Sequence, residues 1–309
     1  MNVTNMLRQH WAALRALLVF TVILGIGYPL LIWLLAWIPG LHHKAEGSII
    51  SIGGKPVAST LIGQLFTDAA GHPLPQYFQT RPSAAGAGYD PLSSGGSNLG
   101  PESIVDVPAD PAKLAAGASP AEAGFKPSLL TLVCSRSLAV AQFEGLGKEA
   151  GSRPFCTSGV GAVLSVIGPR DPRGEVVHPS AVISVNQPCS TTDRPFLDSY
   201  HGVRVECAVF GRDYSSGRIV PIRGEAPDNP QVPADAVTAS ASGLDPDISV
   251  AYADIQVARV ARARHVTPDQ IREVIGRIRT GRPLGVLGEA CVNVVRLNLE
   301  LDHRYPATT

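Results

Sequence analysis

The residues of this chain that could carry chemistry fall into two short loops and a group of cysteines. Ser93-Ser94-Gly95-Gly96-Ser97-Asn98 is a glycine-rich run, and such backbone can cradle a phosphate when its N–H groups converge, usually at a helix N-terminus. The Lys-Ser/Thr ending of a Walker loop is absent, and Leu99-Gly100-Pro101 makes a poor helix start. A structural or partner-facing loop is therefore the expectation, with nucleotide contact through Ser94, Gly95, Gly96 and Ser97 as the alternative. Beside it, Tyr89 and Asp90 are placed to order the loop by Asx-type hydrogen bonds. Arg81 could pair with a carboxylate of a partner.

The second loop, Ser240-Ala241-Ser242-Gly243-Leu244-Asp245-Pro246, holds serines and an aspartate, and the chain has 8 histidines elsewhere. A Ser/His/Asp hydrolase set is conceivable on composition, but no G-x-S-x-G elbow occurs. The reading preferred is a turn, held by hydroxyl and carboxylate groups, that caps the following helix. Asp245 and Asp247, with Asp254 nearby, could weakly attract cations. Of the 5 cysteines, Cys134, Cys156, Cys189 and Cys207 lie in one middle segment, none in a C-x-x-C pair, so a zinc site is poorly supported. Outside the cytoplasm they would form two disulfides, with the connectivity open. Cys291 reads as a packed core thiol.

Composition narrows the classes further. The 26 Lys+Arg balance 26 Asp+Glu over 309 residues, which gives no cationic excess for nucleic acid. The 31 Gly and 26 Pro foretell long loops rather than wholesale disorder.

Residues Ala16 to Ile38 contain no charge. At 1.5 Å per residue they extend roughly 34 Å, enough to cross a hydrocarbon core of about 30 Å. The run is longer than a signal-peptide core and ends in Trp33, Trp37 and Pro39, as an interfacial anchor would. Arg8 and Arg15 precede it, while Lys44 and Glu46 cancel after it, so the N-terminus is expected in the cytoplasm and the bulk of the chain outside. Tyr28 and Pro29 sit mid-span behind Gly25 and Gly27. Pro29 frees a backbone carbonyl and the glycines admit a close neighbour, which makes Gly27, Tyr28 and Pro29 candidates for packing against partner helices.

In the soluble part, Ser48 to Thr60 reads as a hairpin turning at Gly53-Gly54. Arg81 to Pro101 is too rich in Gly, Ser and Pro for a regular element. Ser249 caps a helix towards His265. Thr267-Pro268-Asp269-Gln270 opens another with a capping box, and Gly281 is a plausible stop. Val295, Leu297, Leu299 and Leu301 alternate with polar residues as in a strand. Between Ser103 and Asn229 short apolar runs at Leu129–Val133, Val160–Ile167, Val176–Val185, Val203–Phe210 and Ile219–Ile222 suggest an all-β module. It is flanked by linker-like VPADPAKLAAGASPAEAG and GEAPDNPQVP.

Three stretches together resemble the C subunit of the Kdp potassium-transporting P-type ATPase. They are the anchor ending in GYPLL, then LIGQLF, YFQTRPSA and GYDPLSSGGSNLGP (61–101), and finally VPADAVTASASGLDPDIS through PLGVLGEACVNVVRLNLELD (232–302). The match covers about residues 10–102 and 230–303. Ala241 and Asp247 stand where the family usually has Gly and His, Gln79 where an aromatic is common, and the segment between the two blocks is extra. The resemblance implies an α+β protein: a cytoplasmic tail (1–15), a single N-terminal transmembrane helix (16–38) and an extracytoplasmic α/β domain (44–102 and 230–305), interrupted by a β-rich insert (103–229). It implies an accessory subunit in the cell membrane with no catalytic residues of its own. Its partners would be a channel-like A subunit, an ATP-hydrolysing B subunit and lipid, with ATP and K+ handled by the complex. Gly27, Tyr28, Pro29, Arg81, Tyr89, Asp90, Asn98, Ser242 and Asp245 would face partners. An older proposal for the family makes the subunit a catalytic chaperone for ATP binding, likening Ser94-Gly95-Gly96 to the signature loop of ABC ATPases. The alternative is an anchored extracytoplasmic enzyme or binding protein whose activity resides in the insert.

Overall fold

The computed structural model describes residues 3–186 and 194–307. The chain combines helices and sheets and divides into two compact units, one up to Ile62 and one from Gly63 onward. The first begins with an apolar helix running from Val3 to Ala36, long and apolar enough by length and composition to cross a membrane. The helix starts well before the uncharged run, so the leading tail is part of it. It comprises α1 (Val3–Val22), one π-helical stretch at Ile23–Gly27 and α2 (Tyr28–Ala36), and buries none of its residues. The short α3 (His42–Ala45) follows, then β1 (Ile49–Ile52) and β2 (Lys55–Ser59), antiparallel across Gly53-Gly54 as the hairpin signal requires.

The second unit is built around three closing helices. Helix α6 (Val250–Ala263) begins where Ser249 Oγ accepts the Tyr252 N–H at 3.0 Å. Thr267 and Gln270 form the expected capping box of α7 (Pro268–Ile278). The last segment departs from expectation: only β11 (Cys291–Asn293) is a strand, paired with β10 (Asp247–Ser249), and Val294–Arg304 is the helix α8. Asn293 caps it by accepting the Arg296 N–H, and its buried face is Val294, Val295, Leu297, Asn298 and Leu301. That spacing is helical. The alternation of Leu with polar residues concealed it because Asn298 faces inward and Leu299 is only half-buried.

Segment 103–229 is mixed rather than all-β. The run at Leu129–Val133 is the first part of a helix, α5 (Leu129–Glu144), capped by Ser128 and closed by Gly145 in the left-handed region. Its fully buried positions are Thr131, Cys134, Ser137, Ala141 and Glu144. They recur every three or four residues, yet their small or polar character hides the amphipathic pattern. The linker-like flank also holds structure: Asp110 caps α4 (Pro111–Ala115), and Val107 and Lys126 exchange backbone hydrogen bonds. The second flank returns a fully buried side chain, Val232, to the main core.

The other apolar runs do form strands. They are β3 (Cys156–Thr157), β4 (Val160–Gly161), β5 (Val163–Ile167), β6 (Ala181–Ser184), β7 (Ser199–Tyr200), β8 (Val203–Cys207) and β9 (Arg218–Pro221). The last five named make one sheet in the order β7-β8-β6-β5-β9, parallel only between β6 and β8. One face carries Leu164, Val166, Val182 and Val205; the other carries Val163, Ile183 and Val185. Covered on both sides, β5 buries Val163, Leu164, Ser165 and Val166 in succession, and the run is apolar apart from Ser165.

Helix α5 belongs to the main core. Ala141, with Val133, Val140 and Leu146 beside it, packs with residues of α6, α7 and α8. Glu144 Oε2 accepts from Arg259 Nε at 2.9 Å, with both side chains at most 5% exposed. Burial pushes the Glu144 carboxyl up, against the pull of Arg259 and Arg262. Arg136 on α5 and Arg153 beyond it donate to the carbonyls of Val237 and Val232. Cys134 on α5 is disulfide-bonded to Cys156 on β3, with Cα atoms 5.6 Å apart; Cys189, the other candidate partner, lies outside the described residues.

Two outcomes follow for the purified chain in detergent. Glu144→Gln leaves a buried guanidinium without its counter-charge and should lower unfolding stability by about 3 kcal/mol. Thermal unfolding followed by circular dichroism reads this as a fall in midpoint. Cys134→Ser should cost about 3 kcal/mol through loss of the loop constraint. An unchanged midpoint in reductant-free buffer would show that the bridge does not matter to stability.

Candidate functional site

Segments 77–95 and 238–245, two of the motif-rich stretches, are brought together although more than 140 residues separate them in sequence. Phe78 is fully buried, and its backbone is gripped by the side-chain amide of Asn298 on α8: Phe78 N–H donates to Oδ1 at 2.9 Å and its carbonyl accepts from Nδ2 at 3.0 Å. Gln256 on α6 does the same for Gln79, at 2.7 and 3.1 Å. The Gln79 side chain donates to the carbonyls of Phe66, Leu74 and Tyr77. Arg259 Nη1 reaches the carbonyls of Pro75 and Tyr77. Arg264 donates to those of Gln76 and Tyr305 and to Asp302 Oδ1, while the Tyr77 hydroxyl donates to Asp302 Oδ2. The amides and guanidinium groups of Gln79, Gln256, Arg259, Arg264 and Asn298 thus all find fixed partners, mostly backbone carbonyls.

Beyond this strap the chain meets the 240–244 loop along a ladder of backbone bonds. Ser240 exchanges bonds with the other segment, its N–H donating to the Pro82 carbonyl at 2.7 Å and its carbonyl accepting from Ala84 at 2.8 Å. The carbonyls of Ala241, Ser242 and Leu244 accept from Gly95, Asp90 and Gly63 at 2.7, 2.8 and 2.8 Å. Contacts this close exclude side chains at three positions, one of them Gly63, where a Cβ would lie 2.6 Å from the Asp245 carbonyl oxygen. A Cβ on Gly95 would lie 2.5 Å from the Ala84 carbonyl oxygen, and one on Gly243, whose φ is +79°, would lie 2.2 Å from that of Gly88. Asp90 Oδ1 accepts from the N–H groups of Leu92 and Ser93, the Asx geometry read from the sequence. The Ser240 hydroxyl closes its own loop by accepting from Gly243.

Arg81 spans the junction, donating through Nη1 to Asp245 Oδ2 at 2.9 Å and through Nε and Nη2 to the Thr238 carbonyl. Its carboxylate partner lies within its own chain. Arg81, Tyr89, Asp90, Ser94, Gly95, Gly96, Ser242 and Asp245 therefore belong to one loop cluster. Ser97 and Asn98 continue it as an exposed tract. Gly27, Tyr28 and Pro29 belong to the anchor.

The chemistry open to this cluster is limited. The Gly95 N–H is spent on the Ala241 carbonyl, so that amide is committed to the ladder. Asp245 is held by Arg81 and Asp247 by Asn293 Nδ2 at 3.1 Å. No group of three metal-ligating side chains occurs among the described residues. In segment 103–229 a cavity of about 490 Å³ is lined by Val105, Val107, Val185, Ala208, Tyr214 and Ile219. Asp106 and Asp213 border it, but the first carboxylate accepts from Ser128 N–H and the Thr131 hydroxyl, and the second from Ser215. The Tyr214 hydroxyl accepts from the Val209 N–H. These groups serve local structure and do not converge on the cavity as an acid–base set would.

A family model described as "K+-transporting ATPase, c chain", KdpC, matches residues 10–116 and 215–303, both halves of the loop cluster included. The chain belongs to the KdpC family. A potassium-transporting ATPase KdpC subunit of Kineococcus radiotolerans is 32% identical, over 98% of this chain and 97% of its own. That of Koribacter versatilis is 32% identical over 94% and 92%, and that of Mycobacterium tuberculosis 30% over 96% and 99%. The family match leaves out most of segment 103–229, which holds the five-stranded sheet and α5. As a KdpC subunit the chain is part of a potassium-transporting ATPase, and the one helix among its described residues that is long and apolar enough to cross a membrane fits a membrane-anchored protein.

The residues that sequence reading missed are the clamps themselves, Glu144, Gln256, Arg259, Arg264 and Asn298. The signal available was polar residues on the apolar faces of α6 and α8, where an unpaired group would be costly. Gly243→Ala should destabilise the chain by about 2 kcal/mol and expose 81–101 to limited proteolysis. Asp245→Asn, which weakens a half-exposed ion pair, should cost under about 1 kcal/mol. Equal protease resistance of the glycine variant and the wild type would refute the ladder.

Proposed function

We propose that this chain is an accessory subunit of a high-affinity, ATP-driven potassium uptake complex, acting by binding partners rather than by turning over substrate. In this reading it assembles and stabilises a channel-like subunit and an ATP-hydrolysing subunit, which handle K+ and ATP between them. The carrying observation is the loop cluster. It is the part of the soluble unit that the family match retains on both sides of the break, and its polar groups are committed to holding shape. A surface fixed by backbone bonds is already organised for recognition by another protein.

The N-terminus lies in the cytoplasm and the bulk of the chain outside, as supported by Arg8 and Arg15 before the span against the cancelling Lys44 and Glu46 after it. Any effect on ATP affinity then passes through contact with the transport subunits rather than through nucleotide held by Ser94-Gly95-Gly96. Tyr89, Asn98 and Ser242, at the accessible edge of the cluster, are the side chains offered to a partner.

The test is recovery of the tagged chain in mild detergent from potassium-starved cells, followed by assay of potassium-dependent ATP hydrolysis. Recovery of both larger subunits, with activity lost on deleting the chain, is the expected result. A lone monomer from cells shown to express those subunits would overturn it.

A further inference from the structure

The cavity of about 490 Å³ in segment 103–229 is bounded by two loops and the five-stranded sheet. Val185, just past β6, and Ile219 on β9 form its floor, on the sheet face that also carries Val163 and Ile183. One wall is Val105–Pro108, positioned by Asn186. The Asn186 Oδ1 accepts from the Asp106 N–H at 3.1 Å, and its Nδ2 donates to the Ile104 carbonyl at 2.7 Å. The other wall is the loop from Ala208 to Ser215. Ser165 Oγ donates to the Tyr214 carbonyl at 2.7 Å, and the Tyr214 hydroxyl accepts from the Val209 N–H at 2.9 Å. Both walls are fixed by the protein's own hydrogen bonds, so a ligand entering between them bears little cost of ordering loops.

The lining is mainly hydrocarbon: Val105, Val107, Val185, Ala208 and Ile219. Val105 and Val107 in the first wall, with Val209 and Phe210 in the second loop, are between 41% and 50% and between 45% and 54% exposed. Large apolar side chains gathered in this way around a cavity mark a binding surface. The charged groups beside it are not equivalent. Asp106 spends its carboxylate on the Ser128 N–H and the Thr131 hydroxyl at the start of α5, and Asp213 spends its own on Ser215. Arg212 also lines the cavity, and among the described residues no carboxylate pairs with its guanidinium. The site thus offers an apolar chamber with one uncommitted cation.

We propose that this cavity binds a small aliphatic carboxylate, its chain lying against Val107, Val185 and Ile219 and its anionic end meeting Arg212. One guanidinium matches one carboxylate in charge and in its two-pronged geometry, whereas a phosphate dianion would keep unbalanced charge. The volume falls within the range of about 300–1,000 Å³ usual for small-ligand sites, which suits one short chain and not a two-chain membrane lipid. Val105–Pro108 and Ile219 lie inside the family match, while Val185, Ala208 and Arg212 lie outside it. The site is therefore assembled across the break in that match, and the inference stands independently of the reading of the loop cluster as a partner surface.

The test is isothermal titration calorimetry on the full-length chain in lipid nanodiscs, with sodium octanoate as probe and empty nanodiscs as blank. Saturable one-site binding above the blank is expected. Arg212→Ala, at an exposed position, should weaken octanoate by about tenfold, the loss of a charge-assisted pair, and leave octanol bound as tightly as by the wild type. Ala208→Leu, which fills the chamber, should abolish binding of both probes at an unchanged thermal midpoint. If that variant unfolds, the comparison of octanoate with octanol on Arg212→Ala still decides. The proposal is overturned by the absence of saturable octanoate binding, by an octanoate affinity unchanged in Arg212→Ala, or by binding of dihexanoyl phosphatidylglycerol in place of octanoate.

Discussion

The buried ion pair between Glu144 and Arg259 is the constraint on which the second unit depends. A guanidinium and a carboxylate taken out of water together are tolerable only when geometry and further hydrogen bonds compensate the lost hydration. Arg259 meets that condition by also reaching Pro75, Tyr77 and Gln256, and by lying over the Phe143 ring at 4.3 Å. One residue thereby ties together helix α6, helix α5 and the irregular strap that leads to the loops. The segment that the family model leaves out is consequently bound into the core through its Glu144 carboxylate.

The loop cluster rests on a different kind of interaction. Its ladder is made of main-chain bonds, and its shape depends on three glycines, Gly63, Gly95 and Gly243, that leave no room for side chains rather than on the identity of Ser242 or Tyr89. Arg81 and Asp245 add a clasp at the rim. A surface of this kind keeps its form while the side chains along its edge remain free to differ, which suits a protein whose partners are other proteins.

The sequence made some features legible for definite reasons. Ser249, Thr267 and Gln270 announce helices α6 and α7 because capping is a local hydrogen-bond problem with few solutions. Gly53-Gly54 announces the hairpin in the same way, and the uncharged run announces the apolar helix. Helix α5 was not legible, since its inward face of Thr131, Cys134, Ser137, Ala141 and Glu144 is small or polar and carries no stripe of large apolar side chains. Helix α8 was misread because Leu297, Leu299 and Leu301 alternate over the stretch where Asn298 turns inward. The loops of the site were visible as motifs, whereas their clamps were not. Asn298 and Gln256 bind backbone 220 and 177 residues away, and no local pattern records that distance.

The ladder also has a consequence for how the molecule is made. The carbonyls that accept from Gly63, Ala84, Asp90 and Gly95 belong to residues 240–244, and the amide that holds Phe78 belongs to residue 298. Synthesis at about 5–20 residues per second leaves the earlier segment waiting roughly ten seconds or more for its partners. Meanwhile segment 103–229, with most of its strand pairings internal, is free to settle first. The family-matched loops are thus the last part of the chain to take shape, and the nascent protein stays unable to present them until its final helix has emerged.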